Sequence, residues 1–363
     1  MSQTSSTNIE KPSSLDQSSA WEDRYITSGF FNISSMAQSR ILDKRKRKGL
    51  GPIKPREKNV FGQIILYGTS LGLSKTIGAP LERTRILMQT MHMQNLKATE
   101  KPSANAGAII SKITSEQGIV QLWRGNMANI YRNSLQMFLK IFMYDKVKNY
   151  FMPYSQQRYK GFDFFWRAAS AASICTAITT LTTYPLDLIH TRIASDMTKK
   201  GQNRLFKTTF DCFNRTNLDE GRWGLYKGFQ IALMQSAVRG VLTLPVYEMI
   251  KRSSLVRTKD ENEQVGLFKT FMQRLGPSMI SSLLISSIIF PLDTMKRCIQ
   301  MNGGRGQLLL YKGVQDVMTK LPQQQGSASL YRGVHIFFIN ELIMAFAYIS
   351  IYEAMGPKGF GVE

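Results

Sequence analysis

Three acids each stand two residues after a proline and three before a basic side chain. They read Pro80-x-Glu82-x-x-Arg85, Pro185-x-Asp187-x-x-His190 and Pro291-x-Asp293-x-x-Lys296. On a helix, residues three apart share a face, so each acid can pair with its own base for a few tenths of a kcal/mol. Charges at matched positions in three segments can also pair between segments and close a ring. That chemistry is electrostatic latching, not bond cleavage. His190 is the odd member, because an ordinary histidine pKa of about 6.5 leaves the ring mostly neutral at neutral or alkaline pH. Two readings follow: a weaker or pH-dependent latch, or a side chain that simply hydrogen-bonds a neighbour.

The elements that must position these residues recur as well. The prolines lie 105 and 106 residues apart, and a second mark follows each: Trp123-Arg124-Gly125, Tyr226-Lys227-Gly228 and Tyr331-Arg332-Gly333. A third mark closes each unit, in Tyr144-Asp145 with Lys148, Tyr247-Glu248 with Lys251, and Tyr352-Glu353 with Gly356 in the basic position. Three ordered marks at one period identify three tandem copies of a unit. Each unit reads as two long apolar helices joined by a polar loop. The first helices cover roughly 59–91, 163–196 and 268–300, and the second roughly 125–151, 228–254 and 333–356. Short amphipathic pieces between them, such as that around Ile109 and Ile113, are expected to lie along a membrane surface. The prolines are expected to kink the first helices at one depth and close one mouth of a cavity. Small residues four apart, Gly68/Gly72 and Ser173/Ala177, suggest close helix approach.

The formal charge of +22 points to an anionic partner. Residues 275–292 carry no charge over 18 positions, and 168–186 are uncharged and rich in small residues. Such runs favour a membrane over nucleic acid as the setting. Three dispersed cysteines (Cys175, Cys212, Cys298) form no disulfide framework and no zinc pattern, and no metal site is expected. No GxxxxGK, HExxH or GxSxG motif is present, so the chain reads as a non-enzyme with no cofactor chemistry. Residues 1–57 differ from the rest: polar, then ending in Lys44-Arg45-Lys46-Arg47-Lys48. They suit contact with anionic lipid or a protein partner, or a merely solvated tail, ahead of a nuclear signal or nucleic-acid patch.

These residues resemble the mitochondrial carrier family, six-helix transporters of the inner membrane, across about 58–357. Within it the likeness is to the ADP/ATP carrier branch, through Ser74-Lys75-Thr76, Ala79 to Arg83, Trp123 to Asn129 with Arg132, and Tyr184 to Asp187 with Thr191-Arg192. The resemblance implies an all-α fold of six transmembrane helices in three repeats with pseudo-threefold symmetry. The chain would divide into an extension (1–57) and repeats at 58–160, 161–260 and 261–363. Glu82, Arg85, Asp187, His190, Asp293 and Lys296 would form a matrix-side gate at Pro80, Pro185 and Pro291, braced by Gln89 and Gln300. Tyr144, Asp145, Lys148, Tyr247, Glu248, Lys251, Tyr352 and Glu353 would form a cytoplasmic-side gate. The helix starts at Trp123-Arg124-Gly125, Tyr226-Lys227-Gly228 and Tyr331-Arg332-Gly333 would bind cardiolipin as a structural lipid, backbone N–H groups facing phosphate. Each gate looks short of one cation, at His190 and Gly356.

Seven residues past each marking glycine stand Arg132, Gln235 and Asn340. With Lys75, Ser236, Arg239 and Glu341 they are the candidate solute contacts. Arg132 and Lys75 fit the ADP/ATP branch, whereas Gln235-Ser236 and Asn340-Glu341 depart from it. Arg239 either adds positive charge to the site or faces lipid or another helix. Two functions are in view. One is an alternating-access carrier for a small anionic solute, with ADP/ATP exchange leading. The other is a carrier-like structural subunit held in a respiratory complex, with residues 1–57 as its contact.

Overall fold

The computed structural model describes residues 60–93, 105–151, 161–252, 267–305 and 307–355. Six long helices dominate: α1 (Val60–Thr90), α3 (Asn126–Phe151), α4 (Gly161–Ala194), α6 (Phe229–Arg252), α7 (Leu267–Met301) and α9 (Val334–Met355). Three short helices join the members of each pair: α2 (Ala106–Glu116), α5 (Thr209–Gly224) and α8 (Val314–Gln325). The long helices form a closed ring in the order α1, α3, α4, α6, α7, α9, with the α7–α9 seam the thinnest. The three helices that carry the proline–acid mark, α1, α4 and α7, also touch one another across the middle. The two-helix unit thus recurs three times about a pseudo-threefold axis.

An outward belt of exposed apolar side chains runs along these helices, including Leu73, Ile77, Phe138, Phe142, Ile174, Ile288, Ile343 and Phe346. A belt of this extent needs an apolar solvent, and helices bond their own backbone groups, as a bilayer demands. The chain is an all-α membrane protein. By length and composition, the spans Phe229–Tyr247, Met279–Met301 and Ser327–Tyr348 are apolar enough to cross a membrane. The run 168–186 in α4 falls short of that measure. Threonines and serines dilute it, and their hydroxyls bond its own backbone (Thr176 Oγ1 to Ala172 O, 2.8 Å; Thr183 Oγ1 to Thr179 O, 2.8 Å).

The short helices pack their apolar side chains against protein. Ile109 and Ile113 of α2 are fully buried against Leu87, Met88 and Leu122. Cys212 of α5 packs on Ile189 and Ile193, and Val317 and Leu321 of α8 pack on Cys298 and Met301. Each short helix thereby props the end of its own repeat's proline-bearing helix. Small residues serve unequally. Ser173 meets Gly240 so closely that a Cβ on Gly240 would collide with it, whereas Gly68 faces open space.

Candidate functional site: a charged ring beneath a cationic cavity

Pro80 and Pro185 lie inside helices that run on past them. A proline at position i frees the carbonyl at i−4. For Pro80 that carbonyl is Thr76 O, and the Trp123 indole N–H donates to it at 2.8 Å. The tryptophan of the second mark therefore repairs the bond the proline removes. The glycine two residues on lets the chain press closer. Gly125 (φ 87°), Gly228 (φ 81°) and Gly333 (φ 84°) adopt the left-handed conformation that side chains resist. A Cβ at Gly125 would meet Ala194 and His190, one at Gly228 would meet Tyr184 and Ile299, and one at Gly333 would meet Arg85. Each repeat's second helix thus begins against a proline-bearing helix, in two copies that of the next repeat and in the third that of the first.

This packing brings the three acids and three bases together. Lys296 Nζ lies 3.0 Å from Asp187, Arg85 Nη1 lies 3.5 Å from Asp293, and His190 Nε2 lies 3.5 Å from Glu82. Each of these joins two repeats. The same-helix pairs are comparable or longer, at 3.8 Å for Arg85–Glu82 and 3.4 Å for Lys296–Asp293. Gln300 donates to Asp187 at 3.1 Å, and Gln89 to Thr294 at 3.1 Å and Asp293 at 3.5 Å. His190 Nδ1 stands 3.0 Å from Gly125 O. A carbonyl only accepts, so in the neutral ring Nδ1 carries the proton and Nε2 turns a lone pair toward Glu82. Protonation converts that contact into an ion pair.

Three participants were not expected from the sequence. Arg297 bonds Asp293 at 3.1 Å and Thr191 at 3.2 Å. Asn129 donates to Glu82 at 2.9 Å and accepts from Arg132 at 2.8 Å. Arg132 itself, expected among the solute contacts, pairs with Asp187 at 2.5 Å. With a neutral His190, Arg85, Lys296, Arg297 and Arg132 still face three acids. The missing cation at position 190 is therefore offset by neighbours.

Two further charged clusters sit outside the ring. Arg83 is fully buried and donates to Ala194 O (2.9 Å), Asp196 O (2.7 Å), Gln117 Oε1 (2.9 Å) and Gln121 O. Arg192 clasps Glu220 through two bonds of 2.6 and 3.0 Å, and Lys227 reaches the same carboxylate at 2.5 Å. Burial would raise the Glu220 carboxyl, but Arg192 and Lys227 more than offset it and hold it below the usual range. The second marks are likewise drawn into the protein. Arg124 is paired with the buried Asp196, and Arg332 donates to Gln325 at 3.2 Å. Those two cations are less available to a lipid headgroup than their sequence position suggests.

Above the ring lies a cavity of about 310 Å³. All seven candidate contacts, Lys75, Arg132, Gln235, Ser236, Arg239, Asn340 and Glu341, line it, together with Lys140. Asn340 is buried against Gly78, where a Cβ would strike it. Of the other expected gate, Tyr247 is half-buried and engaged. The side chains of Tyr144, Asp145, Lys148, Glu248, Lys251, Tyr352 and Glu353, and all of residues 1–57, lie outside the described residues.

The sequence matches the family model described as mitochondrial carrier protein over residues 56–155, 162–257 and 268–357. Among curated proteins it is 28% identical to ADP/ATP translocase 2 of Tachyglossus aculeatus aculeatus over 277 residues, 73% of this chain and 87% of the other. It is 28% identical to ADP/ATP translocase 4 of Bos taurus over 305 residues, covering 81% and 87%. It is also 28% identical over 298 residues to the mitochondrial substrate carrier family protein ancA of Dictyostelium discoideum, covering 81% and 93%. With all three units matched in tandem and six helices closed around one cavity, the chain belongs to the mitochondrial carrier family.

Proposed function

We propose that this chain is a multi-pass carrier of the mitochondrial inner membrane that exchanges a small anionic solute by alternating access, with ADP and ATP the first candidates. The observation that carries this reading is a polar, cation-rich cavity closed at one end by ion pairs that join three repeats. Ion pairs between repeats can break and re-form as units, which is what a gate requires. Charged groups at membrane depth are costly and are retained where they serve transport. In the described form Arg132 holds the gate acid Asp187; breaking that pair on opening would release it to the solute. The helix starts at Gly125, Gly228 and Gly333 are proposed as cardiolipin contacts, with the half-exposed Trp123 and Tyr331 at the interface.

Uptake of labelled ADP and ATP into nucleotide-loaded, cardiolipin-containing liposomes tests this directly. Exchange that an Arg132→Ala variant abolishes supports it. A flat result across nucleotides and a wider anion panel, with folded protein, refutes it. The divergence at Asn340-Glu341 favours the second reading, a structural subunit of a respiratory complex. Native electrophoresis that shows most of the protein co-migrating with such a complex would support that instead.

A further inference from the structure

The three seams between repeats are not held alike once the contacts beyond the ring, toward the short helices, are compared. Between repeats 1 and 2 two arginines cross. Arg83 of α1 donates to Ala194 O at 2.9 Å and to Asp196 O at 2.7 Å. Arg124 pairs with the Asp196 carboxylate and donates to Phe206 O at 3.0 Å. Gln117 Nε2 adds a bond of 2.9 Å to Thr198 O, and the Lys200 N–H one of 3.0 Å to Glu116 O. Arg83 and Asp196 are fully buried. Between repeats 2 and 3 one arginine crosses, Arg192 to Gln300 O at 3.1 Å, with Lys227 Nζ 3.4 Å from Asn302 O. Between repeats 3 and 1, among the described residues, no arginine and no carboxylate crosses beyond the ring. There the Leu308 N–H meets Met93 O at 2.9 Å, and the His92 imidazole stands 3.3 Å from the Tyr311 hydroxyl and 3.8 Å from the Cys298 thiol.

Parting repeats 1 and 2 at this clasp would strip a buried guanidinium of its acceptors and split a buried ion pair, both costly breaks. Parting repeat 3 from repeat 1 breaks neutral contacts and one ring pair, Arg85 to Asp293 at 3.5 Å. The clasp also stands where the ring is weakest. The latch of repeats 1 and 2 is His190 to Glu82 at 3.5 Å, which is no ion pair while the imidazole is neutral. Glu82 lines the cavity, and Arg83 beside it points into the seam. The inner contacts of this seam, His190 to Glu82 and Arg132 to Asp187, can therefore part while the clasp behind them holds.

We infer that Arg83, Arg124 and Asp196 form a standing hinge between repeats 1 and 2, and that the ring opens by parting repeat 3 from repeat 1. Such a hinge lets two packed bodies rotate without losing their buried bonds. The inference rests on the carrier reading for its place in transport, and on the seam contacts alone for which repeats part.

Spin labels at exposed positions of the short helices read the parting directly. Ser115→Cys on α2, Asn214→Cys on α5 and Thr319→Cys on α8 are taken two at a time in the full chain in cardiolipin-containing nanodiscs, the native cysteines being buried. The ring is weakened by Lys296→Gln, whose acid partners are Asp187 and Asp293, so that it belongs to neither of the two seams compared. The Ser115/Thr319 distance is expected to gain a longer component, and the Ser115/Asn214 distance to stay close to that of the parent. Lengthening of Ser115/Asn214 by as much, or no lengthening of Ser115/Thr319, would overturn the inference. Disulfides separate it from the carrier reading. Glu116→Cys with Lys200→Cys ties the clasp, and Met93→Cys with Leu308→Cys ties the opposite seam; each pair shares a backbone hydrogen bond and so lies close enough to bridge. Nucleotide exchange is expected to survive the first bridge, to stop with the second and to return on reduction. Exchange stopped by both bridges, or surviving both, would keep the carrier and remove the hinge. The expected distances without exchange in the parent would keep the hinge and remove the carrier.

Discussion

Asp187 makes the shortest ion pairs of the three ring acids, and replacing it with asparagine removes the charge while keeping the shape. In the structure its carboxylate accepts from Arg132 at 2.5 Å, Lys296 at 3.0 Å and Gln300 at 3.1 Å, and its side chain is 8% exposed. Asp187→Asn leaves Arg132 with only Asn129 and leaves Lys296 with only the 3.4 Å contact to Asp293. Removing one partner of a buried pair costs roughly 3–5 kcal/mol, mostly from the charge left behind. At roughly 2 °C per kcal/mol for a body of this size, the unfolding midpoint should fall by about 6–10 °C. His190→Gln should cost clearly less, since the Glu82 contact is 3.5 Å long and a neutral imidazole brings no charge to it. The assay is thermal unfolding of the purified variants in one detergent and lipid mixture, beside labelling of a cavity cysteine to report gate opening. Equal losses for the two variants, or an Asp187→Asn midpoint within error of wild type, would refute the reasoning that the ring's strength lies in its full-time charges.

Further outcomes are expected elsewhere in the molecule. Trp123→Phe should cost about 1–3 kcal/mol by orphaning Thr76 O, and Pro80→Ala should recover part of it by restoring the helical donor, which a double-mutant cycle reads out. Gly125→Ala should destabilise more than Gly118→Ala. Both have positive φ, but only Gly125 has Ala194 and His190 against the new methyl, as unfolding midpoints will show. The Glu220 carboxyl is held below its usual range, so its contribution is present above the ordinary glutamate value and is lost as pH falls through the lowered one. Glu220→Gln should therefore flatten the acid limb of a stability-versus-pH profile. Protonation of His190 should strengthen the Glu82 latch, so exchange should slow on the ring side at acid pH, and His190→Gln should remove that dependence.

Much of this arrangement was legible in the sequence because repetition fixes correspondence. The period alone placed Glu82, Asp187 and Asp293 at one level and put α7 within a residue of its observed ends. Its limit is reach, because a period does not say which neighbour a flexible side chain chooses. Arg132 was legible as a cavity residue but not as a partner of Asp187, which requires knowing how far a guanidinium extends across α3 and α4. Arg297 follows Lys296 directly and was hidden by it, since only the folded ring shows both turning inward. What the apolar face of α2 packs against was not legible for a related reason. An amphipathic pattern announces that one side is covered, and here the end of α1 covers it instead of lipid.

The most direct test of alternating access needs no knowledge of the solute. With Gln235→Cys as a reporter on the cavity wall, a membrane-impermeant maleimide is applied from one side of oriented vesicles at a time. Alternating access predicts labelling from the side away from the ring, protection on the ring side, and ring-side labelling once Lys296→Gln weakens the closure. Ring-side labelling of the parent protein that Lys296→Gln does not raise, or no labelling from either side in any variant, would contradict it.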